Sequence, residues 1–163
     1  SKAEVKKPLT KEESAKVIET AIRKKIKKPT GELTKADLEK VTHLSLRDNK
    51  LTDVKGLEKL TQLTYLYLQF NQLTDVKGLE KLTQLEGLIL GSNKLTNVKG
   101  LEKLTQLKEL DLRRNQLTDL KGLENLTQLK ALYLYFNPAL TQAQIDELQK
   151  ALPKCKIYSD HTK

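Results

Sequence analysis

Hydrophobic residues follow two alternating rhythms along most of this chain. Residues 51–72 read LTDVKGLEKLTQLTYLYLQFNQ. Leu51, Val54, Leu57, Leu60 and Leu63 recur every third position, and then Leu66 and Leu68 alternate with other residues. The alternating part predicts a short strand with its leucines on one face. The three-residue part, with Gly56 inside it, predicts tight turns and 3-10 segments rather than a second strand. The pattern repeats without a gap at 73–94, 95–116 and 117–138, and a partial unit, VTHLSLRDN, leads in at 41–49. One strand and one compact return per 22 residues predict a coil that stacks on itself, its strands side by side and parallel. The leucines of one unit find cover only against their copies in the next, so stacking must stabilise the whole.

Asn49, Asn71, Asn93, Asn115 and Asn137 close each LxxLxLxxN unit. A buried amide there can bond backbone groups where the chain leaves the strand, so these asparagines are expected to serve the scaffold. The ends break the rhythm. Thr10 and Glu13 have capping-box spacing, and Val17, Ile18, Ala21, Ile22 and Ile26 form an apolar stripe that stops before Pro29 and Gly31. Thr34 to Asp37 predicts a second, short helix start. Thr141 can cap a helix reaching about Leu152, with Ile145, Leu148 and Leu152 facing the last repeat, and a terminal strand follows. The expected division is a helical N-terminal cap at 1–40, repeats at 41–138, and a cap helix with its strand at 139–163. Such ends shield leucines and strand edges that a bare coil would expose.

The unit LTDVKGLEKLTQLxxLxLxxN resembles the 22-residue leucine-rich repeats of bacterial internalin-like proteins, over residues 41–138. The segments PTGELTKADLEKVTHLSL and NPALTQAQIDELQKALPKCKIY resemble that family's caps more loosely. The resemblance implies an α/β solenoid of five parallel strands plus capping helices, with a curved sheet on its concave side and 3-10 turns on its convex side. It also implies a protein-recognition role at a secreted or cell-surface location, with the cytoplasm as the alternative. Unlike surface-attached internalins, the chain ends soon after its C-terminal cap and shows no wall-sorting motif.

Four copies within one chain allow an internal comparison. The framework changes at Asn97, Leu120 and Asn125 and is otherwise nearly constant. Variation falls on and beside the strand, in four columns. One runs His43, Tyr65, Gly87, Glu109, Ala131, and the next Ser45, Tyr67, Ile89, Asp111, Tyr133. A third runs Arg47, Gln69, Gly91, Arg113, Tyr135, and the residue before each Asn runs Asp48, Phe70, Ser92, Arg114, Phe136. Strand side chains alternate, so these residues are expected to face away from the leucine core, onto the concave face. Six of the seven aromatic residues sit there, as Tyr65, Tyr67, Phe70 and as Tyr133, Tyr135, Phe136. Stability does not require exposed aromatics, whereas binding surfaces are rich in Tyr. Between the clusters, Gly87, Ile89 and Gly91 predict a shallow hollow, beside a charged strip of Glu109, Asp111, Arg113 and Arg114. The expected contact set for a protein or peptide partner is therefore Tyr65, Tyr67, Gln69, Phe70, Ile89, Glu109, Asp111, Arg113, Arg114, Tyr133, Tyr135 and Phe136.

Charge and reactive residues change this picture little. The net charge is +9, but residues 1–50 supply +6 of it through 14 basic and 8 acidic side chains. The basic run Arg23-Lys24-Lys25-Ile26-Lys27-Lys28 offers an alternative function, electrostatic attachment to an anionic polymer or membrane surface. It lacks interleaved aromatics, so nucleic acid is not expected as a partner. A designed or library-selected scaffold is a further reading, though a pure consensus would make strand faces as uniform as the loops. His43, Ser45 and Asp48 lie close in sequence, but an open outer strand offers no enclosure or oxyanion hole, so no catalysis is expected. No metal-ligand spacing occurs, and no metal or cofactor is expected. The single cysteine, Cys155, forms no internal disulfide and is expected to pack as a small apolar residue. No apolar run approaches the roughly 18 residues of a membrane span. The chain opens at Ser1 without Met, as expected of a processed or trimmed form, and a monomer is expected.

Overall fold

The computed structural model describes residues 7–161. Six three-residue strands form one parallel sheet in sequence order: β1 (His43–Ser45), β2 (Tyr65–Tyr67), β3 (Gly87–Ile89), β4 (Glu109–Asp111), β5 (Ala131–Tyr133) and β6 (Lys156–Tyr158). Register advances one repeat at a time, as in Leu44 beside Leu66 and Leu66 beside Leu88. The sheet is open, and its leucine face looks into a core of stacked leucines, most of them fully buried. On the far side the chain returns through turns and three 3-10 helices, Leu57–Lys59, Lys77–Leu79 and Leu123–Asn125.

The asparagines act as a ladder between coils. Asn93 Nδ2 donates to the carbonyls of Leu68 and Leu90 at 3.0 Å each, and its Oδ1 accepts from Leu73 N at 3.0 Å. Asn71, Asn115 and Asn137 repeat this pattern, each joining its own strand exit to the previous coil. Asn49 has no earlier full coil to reach and stays half-buried: its Nδ2 donates to Arg47 O, and its backbone N donates to Asn71 Oδ1 at 3.0 Å. A buried amide thus satisfies backbone groups that a turn would leave unpaired.

The glycine column answers a packing demand. Gly56, Gly100 and Gly122 have φ between 103° and 107°, which disfavours any Cβ. A Cβ on Gly100 would stand 3.0 Å from Lys77 Cα and 3.1 Å from Val76 O, against the backbone of the coil before it. Gly78 occupies the same place in an identical sequence but without positive φ, and there the 3-10 helix begins earlier, at Lys77. Even so, a Cβ on Gly78 would stand 2.7 Å from Val54 Cγ2. One sequence therefore adopts two convex turn geometries: the first needs glycine for its positive φ, and the second because Val54 of the coil before leaves no room for a Cβ. The third full repeat makes plain turns and no 3-10 helix.

Helices lie at both ends. In α1 (Lys11–Ile26), Thr10 and Glu13 form a reciprocal capping box, Ile18 and Ile22 are buried in the core, and Lys27 ends the helix at φ 58°. Ser14, buried in α1, accepts from Thr52 N at 3.1 Å and pins the helix to the first full repeat. In α2 (Lys35–Glu39), capped by Thr34, Asp37 accepts from Lys28 Nζ at 2.7 Å. At the other end α3 (Gln142–Ala151), capped by Thr141, takes the place of the convex return. It delivers β6 alongside β5, so the sheet has a sixth strand rather than ending at five.

Candidate functional site

Each strand turns its central residue inward, a leucine in β1 to β5 and Ile157 in β6, and its two flanking residues outward, so the variable columns form the outer face of the sheet. The residue before each Asn has a left-handed backbone: Asp48, Phe70, Ser92, Arg114 and Phe136 have φ of 55° to 61°. That conformation costs bulky residues on the order of 1 kcal/mol or more. A ladder holds it in place: Phe70 N donates to Gly91 O at 3.0 Å and Arg114 N to Tyr135 O at 2.9 Å. At the last rung the coil of α3 and β6 supplies a side chain instead of a carbonyl, and the Asp160 carboxylate accepts from Phe136 N at 2.7 Å. Among the described residues, Phe70 and Phe136 are the two large hydrophobic side chains left exposed, at 49% and 53%.

Each exposed ring carries a cation. Arg47 lies over Phe70 at 5.1 Å, Arg114 over Phe136 at 4.3 Å, and Arg113 over Tyr133 at 5.1 Å. Arg113 is fixed further by a fork of bonds to Asp111, Nε to Oδ1 at 3.0 Å and Nη2 to Oδ2 at 2.7 Å. This pairing holds the Arg113 pKa above its ordinary value. Burial raises the Tyr133 pKa, with Glu109 adding to it.

Two expectations about this face are corrected. Gly87 is not part of a hollow: the Tyr65 ring lies across it, where a Cβ would collide with Cδ1 and Cε1. The cavity instead lies toward the strand exits, about 380 Å³ in volume, with Ile89 and Gly91 among its lining. It also brings together Gln69, Phe70, Asp111, Arg113, Arg114 and Phe136, so it links the two aromatic clusters. Asp111, expected as part of an exposed charged strip, is buried beneath Arg113 at 5% exposure. The other expected contact residues lie outside the cavity. Tyr65 stacks on His43 at 5.3 Å and on Tyr67 at 6.4 Å. Tyr135 packs at 6.4 Å from Phe136, and Glu109 sits at the strand start, beside Gly87 in register.

Two members of the face escaped the sequence reading. The seventh aromatic, Tyr158, pairs in register with Tyr133 and stacks on it at 4.9 Å. The signal was the KIY segment, shifted by three residues because α3 lengthens the last coil to 25. Arg47 stood in the third column, but nothing in the sequence shows that its guanidinium leans over the next coil.

Three stretches, residues 39–81, 83–125 and 105–150, match the family model for leucine rich repeats. The chain belongs to the leucine-rich repeat family. Among solved structures, this leucine-rich repeat protein resembles an internalin (inlF) of Listeria monocytogenes, with TM-score 0.82 and 31% identity over 90% of this chain and 43% of the other. A leucine-rich repeat protein of Leptospira interrogans gives TM-score 0.69 and 34% identity, over 77% of this chain and 33% of its own. Internalin C2 of Listeria monocytogenes gives 0.56 and 27%, over 86% and 81%. The chain therefore spans less than half the length of the first two. No curated protein matches it in sequence. The chain is internalin-like, and leucine-rich repeats generally serve protein–protein recognition rather than catalysis.

The features set aside in the sequence have structural neighbours. The His43 ring stacks on Tyr65, with Nδ1 3.1 Å from Thr42 Oγ1, so neither contact involves Ser45 or Asp48. In the basic run, Arg23 donates to the carbonyls of Lys28 at 3.2 Å and Gly31 at 2.8 Å, closing the helix end. Lys28 pairs with Asp37, and the ammonium with the Thr34 cap holds that carboxyl well below the usual range. With Ile26 packed against the core, three of its six residues are thus engaged in the fold. Cys155 is buried, and burial pushes its thiol up to about 11. Among the described residues no cluster of metal ligands occurs, and no helix is long and apolar enough to cross a membrane.

Proposed function

We propose that the chain is a non-catalytic recognition module that binds a protein or peptide partner through its concave face. The contact surface comprises eleven of the twelve residues expected from the sequence, with Asp111 holding Arg113 from beneath, and is extended by Arg47 and Tyr158. Residues 41–138 carry the recognition, with 1–40 and 139–163 closing the ends. The observation that carries this reading is the placement of Phe70 and Phe136. Both are half-exposed phenyl rings on left-handed backbone, each beneath an arginine, in a column where Asp and Ser also stand. The scaffold gains nothing from such residues, whereas a binding surface uses them as rigid anchors. Likeness to internalins supports a secreted or cell-surface location. Attachment through the basic helix is the weaker reading, since Arg23 and Lys28 already close α1 and join it to α2.

Titration calorimetry with a partner captured on the wild-type chain tests this function. Tyr67→Ala and Tyr135→Ala should each weaken binding by more than about 1 kcal/mol with the melting temperature unchanged. Equal affinity in both variants contradicts the proposal.

A further inference from the structure

The geometry points to the chemistry of the partner: the groove between Phe70 and Phe136 takes an extended acidic segment, with two carboxylates four residues apart around an apolar residue. This rests on the recognition function proposed above and narrows it.

Charge comes first. Three guanidinium groups line the groove against a single carboxylate, Asp111. That carboxylate is consumed by Arg113, through Nε and Nη2. Arg47 and Arg114 form no ion pair among the described residues and are held only by the rings beneath them. A guanidinium laid flat on a phenyl ring keeps its N–H edge free for a carboxylate, which it binds in bidentate fashion.

Spacing comes second. Arg47 leaves the first coil and leans over Phe70 of the second, while Arg114 leaves the fourth and leans over Phe136 of the fifth. The two cations are thus three strand spacings apart, about 14 Å at roughly 4.8 Å each. An extended peptide rising about 3.4 Å per residue covers that in four residues, and side chains four apart share one face. The residue midway between them points the same way and meets Ile89 on the groove lining.

A third observation concerns the ligand's backbone. Gln69 Oε1 is buried in the groove and accepts no hydrogen bond among the described residues. Buried acceptors are rarely left so, and an extended peptide brings an amide N–H within each residue. A polyanion whose chain carries no N–H or O–H donor, such as polyphosphate, satisfies the arginines but leaves this oxygen orphaned.

The test selects a displayed library of random dodecapeptides on the full chain. Peptides with the pattern acidic-x-apolar-x-acidic should be enriched. Arg47→Glu with Arg114→Glu should weaken them about tenfold or more and should enrich basic residues at the same spacing. Gln69→Met should weaken them several-fold with melting unchanged, a readout that charge alone would not move. Thermal melts of each variant separate misfolding from lost contact. Enrichment without acidic residues, no enrichment, or undiminished binding by the double arginine variant overturns the inference. Retention of heparin or single-stranded DNA in place of peptides also overturns it, in favour of a polyanion site. The broader function fails separately: if peptides of any composition bind equally after Tyr67→Ala, after Tyr135→Ala and after the double arginine change, the concave face is not the recognition surface.

Discussion

The convex and concave sides of this coil are built from the same 22-residue unit, yet they obey different constraints. On the convex side a glycine packs against the corresponding turn one coil away. Gly100 sits against the Lys77 backbone, and Gly78 against Val54 of an earlier coil. A change there must be matched in the neighbours, so the sequence stays constant. On the concave side the residues meet solvent and one another laterally, and each coil differs from the next. What limits change on that face is pairwise: the Tyr65 ring needs Gly87 beneath it, and Arg113 needs Asp111. The constant side fixes where the strands lie, and the variable side decides what they present.

The strongest way to break this contrast is to remove a rung of the ladder. Asn93→Ala leaves Leu73 N without its partner and strips a donor from Leu68 O and Leu90 O in the buried interior. A loss of about 3 kcal/mol or more is expected in denaturant unfolding. A cost below 1 kcal/mol shows that water or rearrangement replaces the amide. Next is Gly100→Ala, which adds a Cβ at φ 103° against neighbouring backbone. It should cost about 2 kcal/mol by the same measurement.

The smallest effect sharpens the comparison. Gly87→Ala should cost about 1 kcal/mol, because the Tyr65 ring must swing away and lose its stack on His43. In a Tyr65→Ala background the same change should cost almost nothing. A double-mutant cycle with no coupling contradicts the idea that concave residues are constrained in pairs.

The repeat architecture was legible because each structural role recurs at one spacing. Leu66, Leu88 and Leu110 sit in one register, and the Asn column marks the exits of β1 to β5. The columns of the face were legible for the same reason. How neighbouring columns pack was not. Alternation says that Tyr65 and Asp111 point outward, but it cannot say that Tyr65 folds over Gly87 or that Arg113 closes over Asp111. Those outcomes depend on side-chain rotamers across strands, which carry no sequence period. Tyr158 was hidden by the longer final coil, where α3 shifts the register by three residues. The two geometries of the convex turn could not be read either, since residues 51–62 and 73–84 are identical in sequence.

The central claim is that recognition belongs to the variable face and stability to the constant one. The most direct measurement compares two variants for melting temperature and for affinity toward peptides selected on the wild type. One variant carries Ser at Tyr65, Tyr67, Phe70, Tyr133, Tyr135 and Phe136, and the other carries Ser at the exposed convex lysines Lys55, Lys77, Lys99 and Lys121. The first should stay folded, with melting lowered only by its lost ring stacks, and bind nothing, and the second should bind as the wild type does. Full binding by the first variant, or its loss in the second alone, would contradict the account.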